Sequence, residues 1–73
     1  MIQTFIPGYR YTFIYTNHRG ETKTRRVEFV GLDFGSNDWY PEEQWFMRTQ
    51  DLDKFQTRSF ALNKIDIGSI ERI

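Results

Sequence analysis

The 73-residue sequence contains no cysteine, a single histidine and only two prolines. Without cysteine there is no disulfide framework and no thiolate metal site. No apolar run approaches the roughly 18 residues that a membrane-spanning helix requires, so we expect no membrane partner. The N-terminal segment lacks a basic stretch followed by an apolar one, so it does not predict a signal peptide. Together these absences favour a cytoplasmic protein.

The chain also has no excess of positive or negative charge, because ten Lys and Arg residues balance ten Asp and Glu residues. This balance argues against a strongly basic nucleic-acid-binding coat or an acidic tail, but it leaves room for a local basic groove. A chain of this length predicts one domain over residues 1–73. Such a small domain removes only about 60% of its unfolded surface from water, so we expect modest stability.

Aromatic residues, in contrast, are abundant at 18% of the chain and favour pleated, half-buried strands. Alternation with a period of two residues predicts strands at five places: 9–16, 21–34, 44–50, 55–62 and 68–73. Gly31 predicts a bend or bulge in the long second strand. Residues 63–66 are too few for an α-helix and predict a single 3₁₀ turn.

Short connections between these strands predict an all-β fold, a small SH3-like or Sm-like five-stranded barrel with a short 3₁₀ turn before the last strand. Closing the barrel would hide the sheet edges. The alternative is a small α+β domain with a helix over residues 38–47, in which Pro41 would occupy the first helical position. The sequence leaves this alternative open.

The hydrophobic alternation places one charged residue in an unexpected position. Trp45, Phe29 and Phe60 are expected in the core. Arg58 stands two residues before Phe60, so its guanidinium shares the core-facing side of the fourth strand. Arg25 likewise stands two residues before Val27 and four before Phe29, so it shares the core-facing side of the second strand.

Three motifs, in their order and spacing, resemble those of the WYL domain family. The upstream Arg-x-Val-x-Pro motif is similar to residues 25–29, with phenylalanine in place of proline. The family's Trp-Tyr-Leu triad is similar to residues 45–47, which read WFM. Its downstream Arg-x-Phe-x-Leu-x-x-Ile motif is matched at every position by residues 58–65. Tyr15, followed by a turn at Gly20, adds to the resemblance.

The resemblance implies an SH3-like or Sm-like barrel that binds single-stranded nucleic acid or a nucleotide. Such domains usually follow a DNA-reading helix pair in bacterial transcription regulators, often in phage defence. Here no residues remain for that helix pair, so we expect a stand-alone, phage-type or plasmid-type sensor barrel without direct operator recognition.

Two arginines are the leading candidates for a binding site. Arg25 and Arg58, at strand ends and in core-facing phase, can point into the mouth of a barrel and hold a phosphate in a bidentate way. The alternative is that they form ion pairs with Glu28, Asp51 or Asp53, or that their stems lie along apolar surface. Arg48, in the opposite phase, is a peripheral cation of the site or simply a solvated residue.

Aromatic and turn residues complete the candidate site. The candidates for stacking a base are Tyr9, Tyr11, Tyr15, Trp39 and Tyr40, with Tyr15 in the proposed site. His18 is a candidate for a ligand contact, although it also fits a solvated turn. Trp39 and Tyr40 form either a lid over the site or a flap packed on the barrel. Asp51 and Asp53 fit turn chemistry better than a cation site.

No nucleophile with an oriented base and no metal-ligand constellation is evident, so the sequence predicts no enzyme, no metal and no cofactor. It therefore predicts a non-catalytic ligand-sensing or regulatory module that binds single-stranded nucleic acid or a nucleotide. The alternative is a protein–protein interaction module, as a homodimer or with another partner, that uses a strand edge and surplus aromatic residues.

Overall fold

Five antiparallel strands form one sheet in the computed structural model, which describes residues 5–73. In chain order these are β1 (Arg10–Thr16), β2 (Thr22–Gly35), β3 (Gln44–Asp51), β4 (Gln56–Ala61), a 3₁₀ turn (Leu62–Lys64) and β5 (Ile65–Arg72). The predicted all-β class and the helical turn before the last strand are confirmed. Residues 1–4, part of the predicted domain and of the segment considered for a signal peptide, lie outside the described residues. Over residues 5–73, no helix is long and apolar enough to cross a membrane.

The sheet is curled but not closed. Its strand order is β4-β3-β2-β1-β5, so β4 and β5 form the two edges and do not pair with each other. The curl brings Phe60 of β4 against Phe13 of β1, with ring centroids 5.3 Å apart, although β2 and β3 lie between these strands. The structure therefore shows an open, barrel-like curl in place of the closed barrel that the sequence predicted.

The long strand β2 makes this curl possible because it bends. Its first half pairs with β1 and its second half with β3, and the register with β3 shifts between Phe29 and Gly31. Val30 is the extra residue of a β-bulge, which increases local twist. The bulge predicted at Gly31 is confirmed.

The connection between β2 and β3 contains no helix, so the helical alternative over residues 38–47 is wrong. The Asn37 side-chain oxygen accepts hydrogen bonds from the backbone N–H groups of Trp39 and Tyr40, both at 2.9 Å. This side chain offers the backbone a turn in place of a helix. Gln44 then begins β3.

The core lies on the concave side of the sheet. All five strands contribute buried residues to it. These residues are Tyr11, Phe13, Tyr15, Val27, Phe29, Met47, Phe60, Ile65 and Ile70. The predicted core positions of Phe29 and Phe60 are confirmed. Phe5 and Leu62 pack against the cluster from its margin.

Trp45 is not in the core, so that prediction is wrong. It stands opposite Phe34 at the far end of the sheet, and it is 52% exposed. Phe46, on the other side of β3, is buried instead because Tyr40 of the preceding loop packs on it, with ring centroids 6.0 Å apart.

Candidate functional site

The structure brings Arg25 and Arg58 together on one aromatic ring. Arg25 lies on β2 opposite Phe13, and Arg58 lies on β4 opposite Thr49, so both occupy the core-facing side of the sheet. Their Cζ atoms lie 5.9 Å and 5.8 Å from the ring centroid of Phe60. Both distances fall within the roughly 6 Å over which a cation is attracted to a ring face. The two arginines that the sequence singled out therefore share one neighbour. We call Arg25 and Arg58 the arginine pair.

Neither member of the arginine pair forms an ion pair within residues 5–73. Arg25 is nevertheless only 9% exposed, while Arg58 is half-buried. Two like charges thus lie close to the same ring without a neutralising carboxylate.

The carboxylates that the ion-pair interpretation required are used elsewhere. Glu28 pairs with Arg10 at 3.6 Å, and Asp53 pairs with Arg26 at 3.2 Å. Asp51 is buried, and its Oδ1 accepts two backbone N–H groups of the following turn. The ion-pair interpretation of the arginine pair is therefore wrong, whereas the turn interpretation of Asp51 is confirmed.

One donor of Arg25 has an unmet hydrogen bond. Its Nε atom is buried and has no hydrogen-bond partner among residues 5–73. Leaving a buried polar donor unsatisfied costs about 1–3 kcal/mol, and more for a charged group, so native structures rarely do it without a reason. Attraction to the Phe60 ring offsets part of this cost, typically by about 0.5–2 kcal/mol. The fold therefore leaves part of the cost of burying Arg25 uncompensated.

Tyr15 supports the arginine pair but is not itself accessible. Its ring packs edge-to-face on Phe60 with centroids 4.8 Å apart, and the residue is buried. Its hydroxyl oxygen accepts the backbone N–H of Ala61 at 3.2 Å and shares a hydrogen bond of 3.1 Å with the Tyr40 hydroxyl. Burial raises the pKa of this phenol well above its usual value, and the hydrogen bond with Tyr40 raises it further. A neutral, enclosed ring leaves no face on which a base can stack, so we assign Tyr15 a positioning role.

His18 and the β2–β3 loop meet at one end of the sheet. The imidazole of His18 stacks on Trp39, with ring centroids 4.9 Å apart and planes 12° from parallel. Trp39 is 64% exposed, whereas Tyr40 is half-buried against Phe46 and Tyr15. The flap interpretation of the loop therefore holds for Tyr40, and Trp39 projects into solvent.

Arg48 is not part of this arrangement. It lies opposite Gly31 and Ser59 on the other side of β3, where it is exposed, and its Nε is 3.4 Å from Asp33 Oδ2. Its charge is therefore partly offset, and the structure does not bring it near the arginine pair.

The sequence patterns did not predict two features of the site, the position of Lys23 and the stacking of His18 on Trp39. Lys23 lies two residues before Arg25 in the same phase and stands opposite Tyr15, so it adds an exposed cation along the same side of β2. The alternation that singled out Arg25 contained this signal. The stacking of His18 on Trp39, in contrast, joins segments about 20 residues apart, and no local pattern indicates it.

The site shows no metal-binding constellation: among residues 5–73, no three or more His, Asp or Glu side chains are grouped so that they could hold an ion. The chain matches no protein-family model, no curated protein and no solved structure. The resemblance to the WYL domain family therefore stays a prediction, and the function has to be inferred from the geometry of the site.

Proposed function

We propose that this protein is a non-catalytic binding module for a phosphate-bearing ligand, either single-stranded nucleic acid or a nucleotide, with the arginine pair as the phosphate clamp. The observation that supports it best is the placement of Arg25 and Arg58 over one ring without a carboxylate partner among residues 5–73. The buried Nε of Arg25, which has no hydrogen-bond partner in the described part of the chain, is a further sign that the fold does not fully satisfy this side chain.

The physical basis is the contrast between local and net charge. The formal net charge of the chain is zero, so long-range attraction to a polyanion is weak. Charges separated by more than about 8–10 Å are largely screened at physiological salt, so the attraction must come from cations at the site itself. Two guanidinium groups beside apolar rings provide it, because the low local dielectric strengthens their interaction with an anion.

The resemblance to the WYL domain family supports the same assignment. Arg25 and Arg58 are the arginines of two of the three motifs that carry that resemblance. On this proposal the protein is a WYL-like sensor in the cytoplasm that regulates transcription in a phage–host or defence setting.

A second candidate function is protein–protein interaction, and an exposed apolar strip favours it. Leu32 stands opposite Met47, and Phe34 stands opposite Trp45. Leu32, Phe34 and Trp45 are each about half exposed, and the rings of Phe34 and Trp45 are 5.2 Å apart. A shallow, mainly apolar depression of about 200 Å³ adjoins Trp45 and Leu62. Exposed apolar surface of this kind is typical of interaction sites. Gel filtration with light scattering tests self-association directly.

The arginine-pair proposal is tested by fluorescence anisotropy with a labelled oligothymidylate of about eight nucleotides. We expect binding that weakens as salt rises, with a slope of log K against log salt of about −0.7 per neutralised phosphate. Arg58→Ala should weaken binding and make this slope shallower by about 0.7, because one contact is lost. Arg48→Ala is the matched control on the opposite side of the sheet and should change little.

Two results would count against this function. One is the absence of binding at about 50 micromolar protein, which lies within the range of non-specific affinities. The other is an affinity that does not depend on salt. Either result would favour the protein-interaction function.

A further inference from the structure

Trp39 presents a large, exposed ring that the fold does not need for its core. The residue is 64% exposed, and one face of the indole is covered by the imidazole of His18 in a nearly parallel stack. A ring that is backed on one face and open to solvent on the other has the form of a stacking platform, since successive bases bind aromatic rings in this way.

The loop holds this ring in a defined position. Asn37 Oδ1 accepts from the backbone N–H groups of both Trp39 and Tyr40, and the Asn37 N–H donates to the Tyr40 carbonyl at 3.0 Å. The Tyr40 hydroxyl in turn bonds that of Tyr15. A ring that is already ordered loses little conformational freedom when a ligand binds, so the arrangement favours binding.

A continuous series of contacts joins Trp39 to the arginine pair. Tyr40, its chain neighbour, bonds Tyr15, and Tyr15 packs on the Phe60 ring that both arginines approach. Trp39 and the arginine pair are thus linked through Tyr40, Tyr15 and Phe60. A ligand that carries both phosphates and bases matches such an arrangement, whereas a bare phosphate uses only half of it.

We propose that Trp39, backed by His18, stacks a base of the nucleic-acid strand whose phosphates the arginine pair holds. This inference rests on the proposed function and deepens it. It assigns the ligand to the class that carries nucleobases and excludes inorganic polyphosphate as the preferred ligand. Because every base has an aromatic face, the platform discriminates weakly between sequences.

Fluorescence tests the stacking directly, because the chain has only two tryptophans. In a Trp45→Phe background, Trp39 is the sole indole, and the new phenyl ring preserves an aromatic contact with Phe34. Titration with unlabelled oligothymidylate should quench Trp39 emission and saturate. Titration with inorganic tripolyphosphate, which supplies phosphates without bases, should leave the emission unchanged.

Affinity measurements provide the second readout. Trp39→Ala should weaken oligothymidylate binding by about 5-fold to 150-fold, the equivalent of about 1–3 kcal/mol per stacked base at about 1.4 kcal/mol per tenfold. Its affinity for tripolyphosphate, measured by competition, should stay unchanged. Trp39→Phe keeps a ring and should retain most of the affinity. Far-UV circular dichroism checks that each variant is folded.

The outcomes separate the inference from the proposed function. If Trp39→Ala leaves oligothymidylate binding unchanged while Arg58→Ala weakens it, the platform is overturned and the phosphate clamp stands. If Trp39→Ala weakens binding of both probes equally, Trp39 has only a structural role and the inference is again overturned. If the wild-type protein binds neither probe, the proposed function is overturned, and the platform with it.

Discussion

Arg25 and Arg58 approach one phenyl ring from strands that are not neighbours, since β3 separates β2 from β4. Their Cζ atoms are 5.9 Å and 5.8 Å from the centroid of Phe60, and neither has a carboxylate partner within residues 5–73. Two partly desolvated like charges destabilise a small domain. Places where a fold gives up stability in this way are typically functional, because an incoming ligand supplies what is missing.

This trade-off makes Arg25→Met an informative change. Methionine replaces the aliphatic stem of arginine but has no buried donor to satisfy, so we expect the free energy of unfolding to stay the same or to rise by about 1 kcal/mol. Oligothymidylate binding should weaken in the same variant. Urea denaturation measures the first quantity and anisotropy the second.

The control for this variant is Arg26→Met, which changes the next residue on the opposite side of β2, where the side chain is exposed and pairs with Asp53. An exposed ion pair contributes little, so both stability and binding should change by small amounts. A loss of more than about 1 kcal/mol in Arg25→Met would show that Arg25 is structural, contrary to our assignment.

Tyr15→Phe should destabilise the fold although it removes a single atom. Without the hydroxyl, the buried N–H of Ala61 loses its acceptor, which costs about 1–3 kcal/mol. Tyr40→Phe is the matched control: it breaks the same hydroxyl–hydroxyl bond but leaves Ala61 satisfied, so its cost should be about 0.5–1.5 kcal/mol. Urea denaturation of both variants gives the comparison, and equal losses would contradict the role of the Ala61 bond.

Alkaline pH should destabilise the protein through the same tyrosine. Burial and the Tyr40 hydrogen bond raise the pKa of Tyr15 in the folded state above the ordinary value of 10.0. The unfolded chain therefore releases this proton first, and the stability that the neutral phenol contributes is complete below pH 10 and is lost as pH rises above it. Urea denaturation at several pH values between about 9 and 11.5 measures this. Tyr15→Phe should show a shallower decline, and an identical decline would refute the assignment.

Phe46→Ala should lower the free energy of unfolding more than Trp45→Ala does, the reverse of the order expected from the side of β3 on which each residue lies. Phe46 is buried, and its truncation should cost about 3–5 kcal/mol. Trp45 is half-exposed and loses mainly its contact with Phe34, so we expect about 1 kcal/mol. Thermal or urea unfolding ranks the two variants. A larger loss in Trp45→Ala would restore the core position that the sequence predicted.

Local patterns predicted most of the fold. The strands, the bulge in β2 and the turn before β5 each depend on residues close together in the chain, and the structure shifts their boundaries only by a few residues. The error at Trp45 has a physical cause: alternation assigns a side chain to one side of a strand, but it does not say how far along that strand the core extends. The burial of Phe46 depends on Tyr40, which belongs to a loop with no periodic pattern.

For the site, the sequence determined which side of its strand each arginine occupies, because the backbone of a strand alternates side chains with a period of two residues. Only the tertiary structure decided that Arg25 and Arg58 meet at Phe60, that the nearby carboxylates are already bound elsewhere, and that Trp39 stacks on His18. These relations depend on the curl of the sheet. The curl arises from strand twist and from packing between residues that are distant in the chain, so a local sequence pattern does not predict it.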